Sequence, residues 1–136
     1  MNKTLAIIKP DGIKKKYSGD IIKYIELNNF KILRMKKILL TKIEAEEFYS
    51  IHKERSFFNE LVTYMISNEV IVIALEKENA VNDWRDCMGS TDPLKANIGT
   101  IRKMYGASIG ENVTHGSDSN ENAKIEINFF FPELII

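Results

Sequence analysis

The chain has 136 residues but a single cysteine, Cys87, and only two histidines, His52 and His115. One thiol cannot close an internal disulfide, so a reducing compartment is expected, with Cys87 a packed residue. No second cysteine, and no histidine near Cys87 in sequence, offers the ligand set of a zinc centre. Net charge is lacking too, since 19 basic residues balance 19 acidic ones. That balance argues against dedicated nucleic-acid binding and against a polybasic membrane anchor, while leaving room for a small basic pocket. Long apolar runs are missing. Leu5 to Ile8 is stopped by Lys9 and Pro10, too short for a secretory signal core. No stretch approaches the ~20 apolar residues of a membrane helix. Linkers, internal repeats and low-complexity tracts are missing as well. What remains is one domain expected over 1–136, of ordinary globular composition at 44% hydrophobic and 28% charged residues, in the cytoplasm.

"KTLAIIK" reads as a short buried strand, closed by the turn chemistry of Pro10-Asp11-Gly12. Residues 18–29 predict a helix with Ser18 as N-cap and Ile21, Ile22 and Ile25 on one face. "FKILRMKKILL" has strand composition. Thr41 and Glu44 have capping-box spacing, and a helix to about His52 follows. Phe57/Phe58, Leu61/Val62 and Met65/Ile66 recur as an amphipathic helix. "VIVIAL" at 70–75 is the strongest strand, and 79–88 fits a helix. Residues 89–119 are rich in Gly, Ser, Thr and Asn and read as a long loop, the kind that is usually functional or disordered. "NENAKIEINFFF" fits a helix through Ala123, Ile127 and Phe130, and a strand through Ile125, Ile127, Phe129 and Phe131. Helices interleaved with few strands predict an α/β sandwich of the ferredoxin-like βαββαβ kind, a four-stranded antiparallel sheet covered by helices.

Several chemistries are excluded by what the motifs lack. There is no G-x-x-x-x-G-K-[ST] phosphate loop, and "GIKKKYSG" has the wrong spacing for a dinucleotide fingerprint. His115, Ser117 and Asp118 stand too close in sequence to face one another as a hydrolase triad. The stretch "NVTHGSDS" nevertheless places an imidazole among small polar neighbours. A neutral imidazole is nucleophilic near pH 7, Gly116 would let a bulky reactant approach, and Glu126 is a candidate to hold the other ring nitrogen. The bland alternative is a histidine of no function in a loop. Lys9 ends a strand, and Arg55, Arg85 and Arg102 lie at element ends or in loops. Such cations match phosphate oxygens, although spacing alone does not make them converge.

"IIKPDG", "YSIHKERSFF", "MGSTDP", "GTIR" and "NVTHGSDS" occur in this order, and together they resemble the nucleoside diphosphate kinase family from about Lys3 to Phe131. The resemblance implies transfer of the γ-phosphate of a nucleoside triphosphate, usually ATP, to a histidine and then to a nucleoside diphosphate. One site would serve both half-reactions in ping-pong fashion. The substrates it implies are ATP, GTP, ADP, GDP and their deoxy forms. His115 falls on the phosphorylated histidine. Lys9 falls on the lysine that reaches the phosphates and the ribose 3′-hydroxyl, and Asn112 on the asparagine that binds that hydroxyl. Arg85, Thr91 and Arg102 match the phosphate-binding set, and Arg55 an arginine close to it. Phe57 matches the aromatic that stacks on the base, with Leu61 beside it and Ile109 facing it. Tyr49 matches a tyrosine beside the catalytic ring, and Ser117 and Glu126 the pair that orients it. Mg²⁺ is the implied cofactor, held by the nucleotide phosphates and not by a protein cage. The resemblance further implies a ferredoxin-like fold, a helix over about 119–129, and a homo-oligomer, tetramer or hexamer, built from dimers.

The sequence departs from the family pattern in two places. "KMYG" follows "GTIR", and "KKKYSG" replaces a more usual arginine-glycine pair. The first change falls in a loop that often packs subunits together. A silent family member that only binds, and an RNA-binding ferredoxin-like module, are the rival readings. The intact His115, Lys9 and Asn112 argue against the first, and the absence of aromatics in "VIVIAL" against the second.

Overall fold

A strand that reads as an unbroken apolar run must be covered on both faces, and the two such runs lie side by side. In the computed structural model, which describes residues 1–134, β1 (Asn2–Ile8) pairs antiparallel with β3 (Val70–Lys77), Leu5 opposite Ala74 and Ile7 opposite Val72. The last two residues of the unit expected over 1–136 lie outside the described residues. β2 (Lys31–Ile38) adds to the other side of β3, with a bulge between Ile32 and Arg34. β4 (Thr114–Gly116) adds to the other side of β1. The sheet has four strands in the order β2-β3-β1-β4, every neighbour antiparallel. This is the ferredoxin-like arrangement expected from the sequence.

Alternate residues of the central strands serve two cores. Ala6, Ile8, Ile71, Ile73 and Leu75 face α2 (Ser18–Leu27) and α5 (Ala80–Met88), where Ile21, Ile25, Trp84 and Met88 complete one cluster. Leu5, Ile7, Val70, Val72 and Ala74 face α3 (Lys42–Phe48), α4 (Phe58–Met65) and α7 (Asn120–Phe130), with Ala45, Val62, Met65, Ile127 and Phe130. The period of two along each strand therefore supplies both layers.

Several boundaries differ from the sequence reading. Pro10-Asp11-Gly12 does not form an isolated turn but opens a short helix, α1 (Pro10–Lys14), with proline in its first turn, a position where its missing N–H costs nothing. Ser18 is not a cap. Tyr17 is already in the helical region, so Ser18 is the first residue of α2 and makes no capping bond. The capping box is present: Thr41 Oγ1 accepts from Glu44 N at 3.1 Å and Glu44 Oε1 from Thr41 N at 3.0 Å. α3 stops at Phe48, and a separate 3₁₀ turn at Ser50–His52 follows. The expected long loop contains a 3₁₀ turn at Pro93–Lys95, the helix α6 (Ile101–Tyr105) and β4. Elements this short carry too few residues for periodicity to show. The ambiguous last stretch is helical, and Ser119 Oγ caps it by accepting from Asn122 N at 3.0 Å.

Candidate active site

His115 lies in β4, not in a loop, with its backbone opposite Ile7 of β1. Its Nε2 is 2.8 Å from Glu126 Oε1, on α7. An ionised carboxylate only accepts hydrogen bonds, so Nε2 carries the proton and Nδ1 keeps its lone pair. Ser117 Oγ donates to the same Glu126 oxygen at 2.9 Å and accepts from Leu5 N at 3.1 Å. The carboxylate is thereby fixed to the sheet, and the ring to the carboxylate. Both side chains are largely covered, His115 at 18% and Glu126 at 19% exposure. The backbone at His115 is pinned by Trp84 Nε1, which donates to His115 O at 3.2 Å. Gly116 serves that packing: a Cβ there would lie 2.4 Å from Trp84 Cδ1 and 2.6 Å from Met88 Cε. The space expected to admit a reactant is filled by the indole.

The aromatic side chain in contact with His115 is Phe48, edge-on at 5.6 Å between centroids. Tyr49, the residue singled out from the sequence, lines the same cavity of about 230 Å3 as His115 and Glu126. Its buried hydroxyl finds no hydrogen-bond partner among the described residues. Burial, and then the nearby Glu126 charge, push the Tyr49 phenol well above its usual range.

A second group gathers where β1 ends. Lys9 Nζ donates to Asn112 Oδ1 at 2.9 Å, and Asn112 Nδ2 donates to Thr91 O at 3.1 Å. Burial, then the Arg102 charge, lower the Lys9 ammonium from 10.5 to about 8, against an opposing pull from Asp11. Arg102 is buried. Its guanidinium donates to Gly89 O at 3.0 Å and Thr114 O at 2.8 Å, while Nε finds no partner among the described residues. Burial and the neighbouring Arg85 lower it to about 10. Arg85 is exposed and donates to Asp118 O at 3.3 Å. Arg102 thus stands near both Lys9 and Arg85, and the Asp11 carboxylate offsets only part of the effect on Lys9; neighbouring cations of this kind suit an anion.

Lys9 and Thr91 open onto a cleft of about 690 Å3 whose walls include Phe57, Leu61 and Ile109. Phe57 is 44% and Ile109 61% exposed, so two apolar side chains stand at the cleft with little else covering them. Arg55 is exposed in the turn before α4 and makes no side-chain hydrogen bond or ion pair with another described residue. The structure therefore joins His115, Glu126 and Ser117 in one network, and Lys9, Asn112 and Thr91 in another. Only Val113 and Thr114 separate Asn112 from His115 and so connect the two networks.

Sequence reasoning missed four residues of this region: Asp11, Phe48, Tyr64 and Trp84. Asp11 is buried and bonds both Tyr64 and Val113 N. A carboxylate in "KPDG" reads as turn chemistry, and the long-range partner is invisible until the fold is known. Trp84, the chain's one tryptophan, is the residue that composition alone marks as needing a polar partner when buried.

A family profile described as nucleoside diphosphate kinase matches residues 2–136. Nucleoside diphosphate kinases of Geotalea daltonii and Geotalea uraniireducens are 57% and 56% identical over 134 residues, each match covering 98% of both chains. Among solved structures, the Aquifex aeolicus nucleoside diphosphate kinase superposes with a TM-score of 0.94 at 39% identity, covering 96% of this chain and 94% of that one. The Encephalitozoon cuniculi nucleoside diphosphate kinase superposes at 0.93 and 36% identity, covering 96% and 89%.

Proposed function

The chain belongs to the nucleoside diphosphate kinase family, and on that premise we propose that His115 carries the phosphate between the two nucleotides. In the first half-reaction Nδ1 attacks the terminal phosphorus of a nucleoside triphosphate. The Nδ1–P bond forms, the bond from phosphorus to the bridging oxygen breaks, and the nucleoside diphosphate leaves with the electron pair. In the second, a terminal oxygen of another diphosphate attacks the same phosphorus and the Nδ1–P bond breaks. No proton need leave the ring, because Nε2–H stays on Glu126 throughout. The observation that carries this reading is the His115–Glu126–Ser117 network. It frees Nδ1 and sets a negative charge against the imidazolium that phosphorylation creates.

Lys9 and Arg102, with Arg85 and Arg55 nearer the surface, would compensate the phosphate charge, the Thr91 hydroxyl would hydrogen-bond a phosphate oxygen, and Lys9 and Asn112 would hold the sugar. Phe57, with Leu61 and Ile109, would grip the base by its faces, which every base possesses, so several bases and both sugars would be accepted. Tyr49 and Phe48 would close the apolar side of the His115 ring. The cationic phosphate end fits a Mg²⁺ that would arrive on the nucleotide and be held by its phosphates, not by a protein cage. The metal would supply charge neutralisation across the phosphates. One unit over 1–136, working in the cytoplasm as a homo-oligomer of four or six subunits built from dimers, completes the proposal. Among the described residues no helix is long and apolar enough to cross a membrane.

The test is steady-state transfer from ATP to GDP by His115→Ala. A fall in kcat by at least about three orders of magnitude is expected, in a variant that still unfolds cooperatively above the assay temperature. Parental turnover would rule out the histidine.

A further inference from the structure

Val113 holds a backbone conformation unsuited to its residue type. Its φ is +76°, a region that a β-branched residue occupies only when its surroundings hold it there. Thr114 N donates to Asn112 O at 2.9 Å, which closes the rarer form of γ-turn around Val113. Both peptide groups of Val113 are tied to the chain just after β1. Val113 O accepts from Lys9 N at 2.7 Å, and Val113 N donates to Asp11 Oδ2 at 3.1 Å. The other oxygen of that carboxylate accepts from the Tyr64 hydroxyl. Tyr64 Oη in turn accepts from Asp11 N at 3.3 Å. Asp11 is 4% exposed, so water offers its carboxylate little alternative.

We propose that Asp11 and Tyr64 are positioning residues for phosphoryl transfer: they hold the turn at Val113 and, through it, the Asn112 amide and the His115 ring in the geometry of attack. The proposal rests on the function proposed above. The residue before the turn is Asn112, which bridges Lys9 Nζ and Thr91 O. The residue after it is Thr114, whose hydroxyl donates to Ile7 O at 3.0 Å, and His115 follows. Relaxing Val113 to negative φ would swing Asn112 off Lys9 or shift β4 along β1. Tyr64 comes from α4, which also carries Leu61, and it lines the same cleft as Phe57. Its hydroxyl therefore ties the wall that would stack the base to the turn that would seat the phosphates. Packing alone would be served by the ring without the hydroxyl.

Tyr64→Phe keeps the ring and removes both bonds. The experiment measures single-turnover labelling of the protein by γ-labelled ATP with Mg²⁺, together with kcat, KM for GDP and the thermal midpoint. The labelling rate and kcat are expected to fall by about tenfold or more, with KM within about threefold of the parent and the label still on His115. Parental labelling and kcat in the variant, or a loss no larger than its unfolded fraction, overturns the positioning role alone. A parent that takes no label on His115 overturns the proposed function and the positioning role with it.

Discussion

Lys9 is the residue whose protonation most directly links structure to pH. Its ammonium is lowered to about 8, and a neutral amine does not neutralise phosphate. Because kcat/KM reports the nucleotide-free protein, it is expected to fall by about tenfold per unit above pH 8, whereas a kcat/KM flat to pH 9 would contradict the assignment. The stability sign follows from the same shift. Below about 8 the residue is charged in both states and folding bears the full burial penalty. Between about 8 and 10.5 the unfolded chain holds the extra proton, so this contribution to stability rises with pH, by up to about 3 kcal/mol. Glu126→Gln keeps a hydrogen-bond acceptor but removes the charge opposite a phosphorylated ring. It should lower kcat by about a hundredfold with little change in KM, measured in steady state. The site itself was only partly legible at this scale. His115 and Lys9 stand out by residue type and neighbours, and Glu126 could be nominated. Phe48 and Tyr64 could not, because their partners lie on other elements and nothing in their own surroundings marks them.

Elements are held by local bonds that the sequence announces unevenly. The Thr41 capping box is explicit in spacing and present in the structure. Thr41→Ala is therefore expected to cost about 1 kcal/mol in urea unfolding. Ser18→Ala should stay within about 0.5 kcal/mol, since Ser18 caps nothing. The reverse result, Ser18 costly and Thr41 neutral, would contradict the assignment of these helix ends. Long elements were legible because their period repeats: β1, β3, α4 and α5 all fall within a few residues of expectation. α6 and β4 were not, because five and three residues give no period to read. What defines each is a single feature: Thr100 caps α6 locally, accepting from Lys103 N at 3.3 Å, while β4 exists by its long-range pairing with β1. Gly116 shows how closely β4 also packs on α5. Gly116→Ala drives a Cβ into Trp84 and should destabilise the protein by about 2 kcal/mol or more, read from its unfolding midpoint.

At the scale of the whole molecule, two helical layers on one sheet leave the ends of β1 and β4 as the place where cations, an imidazole and an apolar cleft meet. The segment between α5 and β4 also leaves Leu94 and Ile98 85% and 94% exposed. That exposure suits the proposed oligomer, for which sedimentation should give a mass well above the 15.6 kDa of one chain; a monomer would contradict it. The central claim is that His115 carries phosphate between nucleotides. The measurement that tests it most directly is to incubate the protein with γ-labelled ATP and Mg²⁺, remove the nucleotide, locate the label, and add GDP. The expected result is an acid-labile, base-stable adduct on the peptide containing His115 that GDP discharges completely as labelled GTP. GTP production with no protein-bound label, or label on another residue, would contradict it.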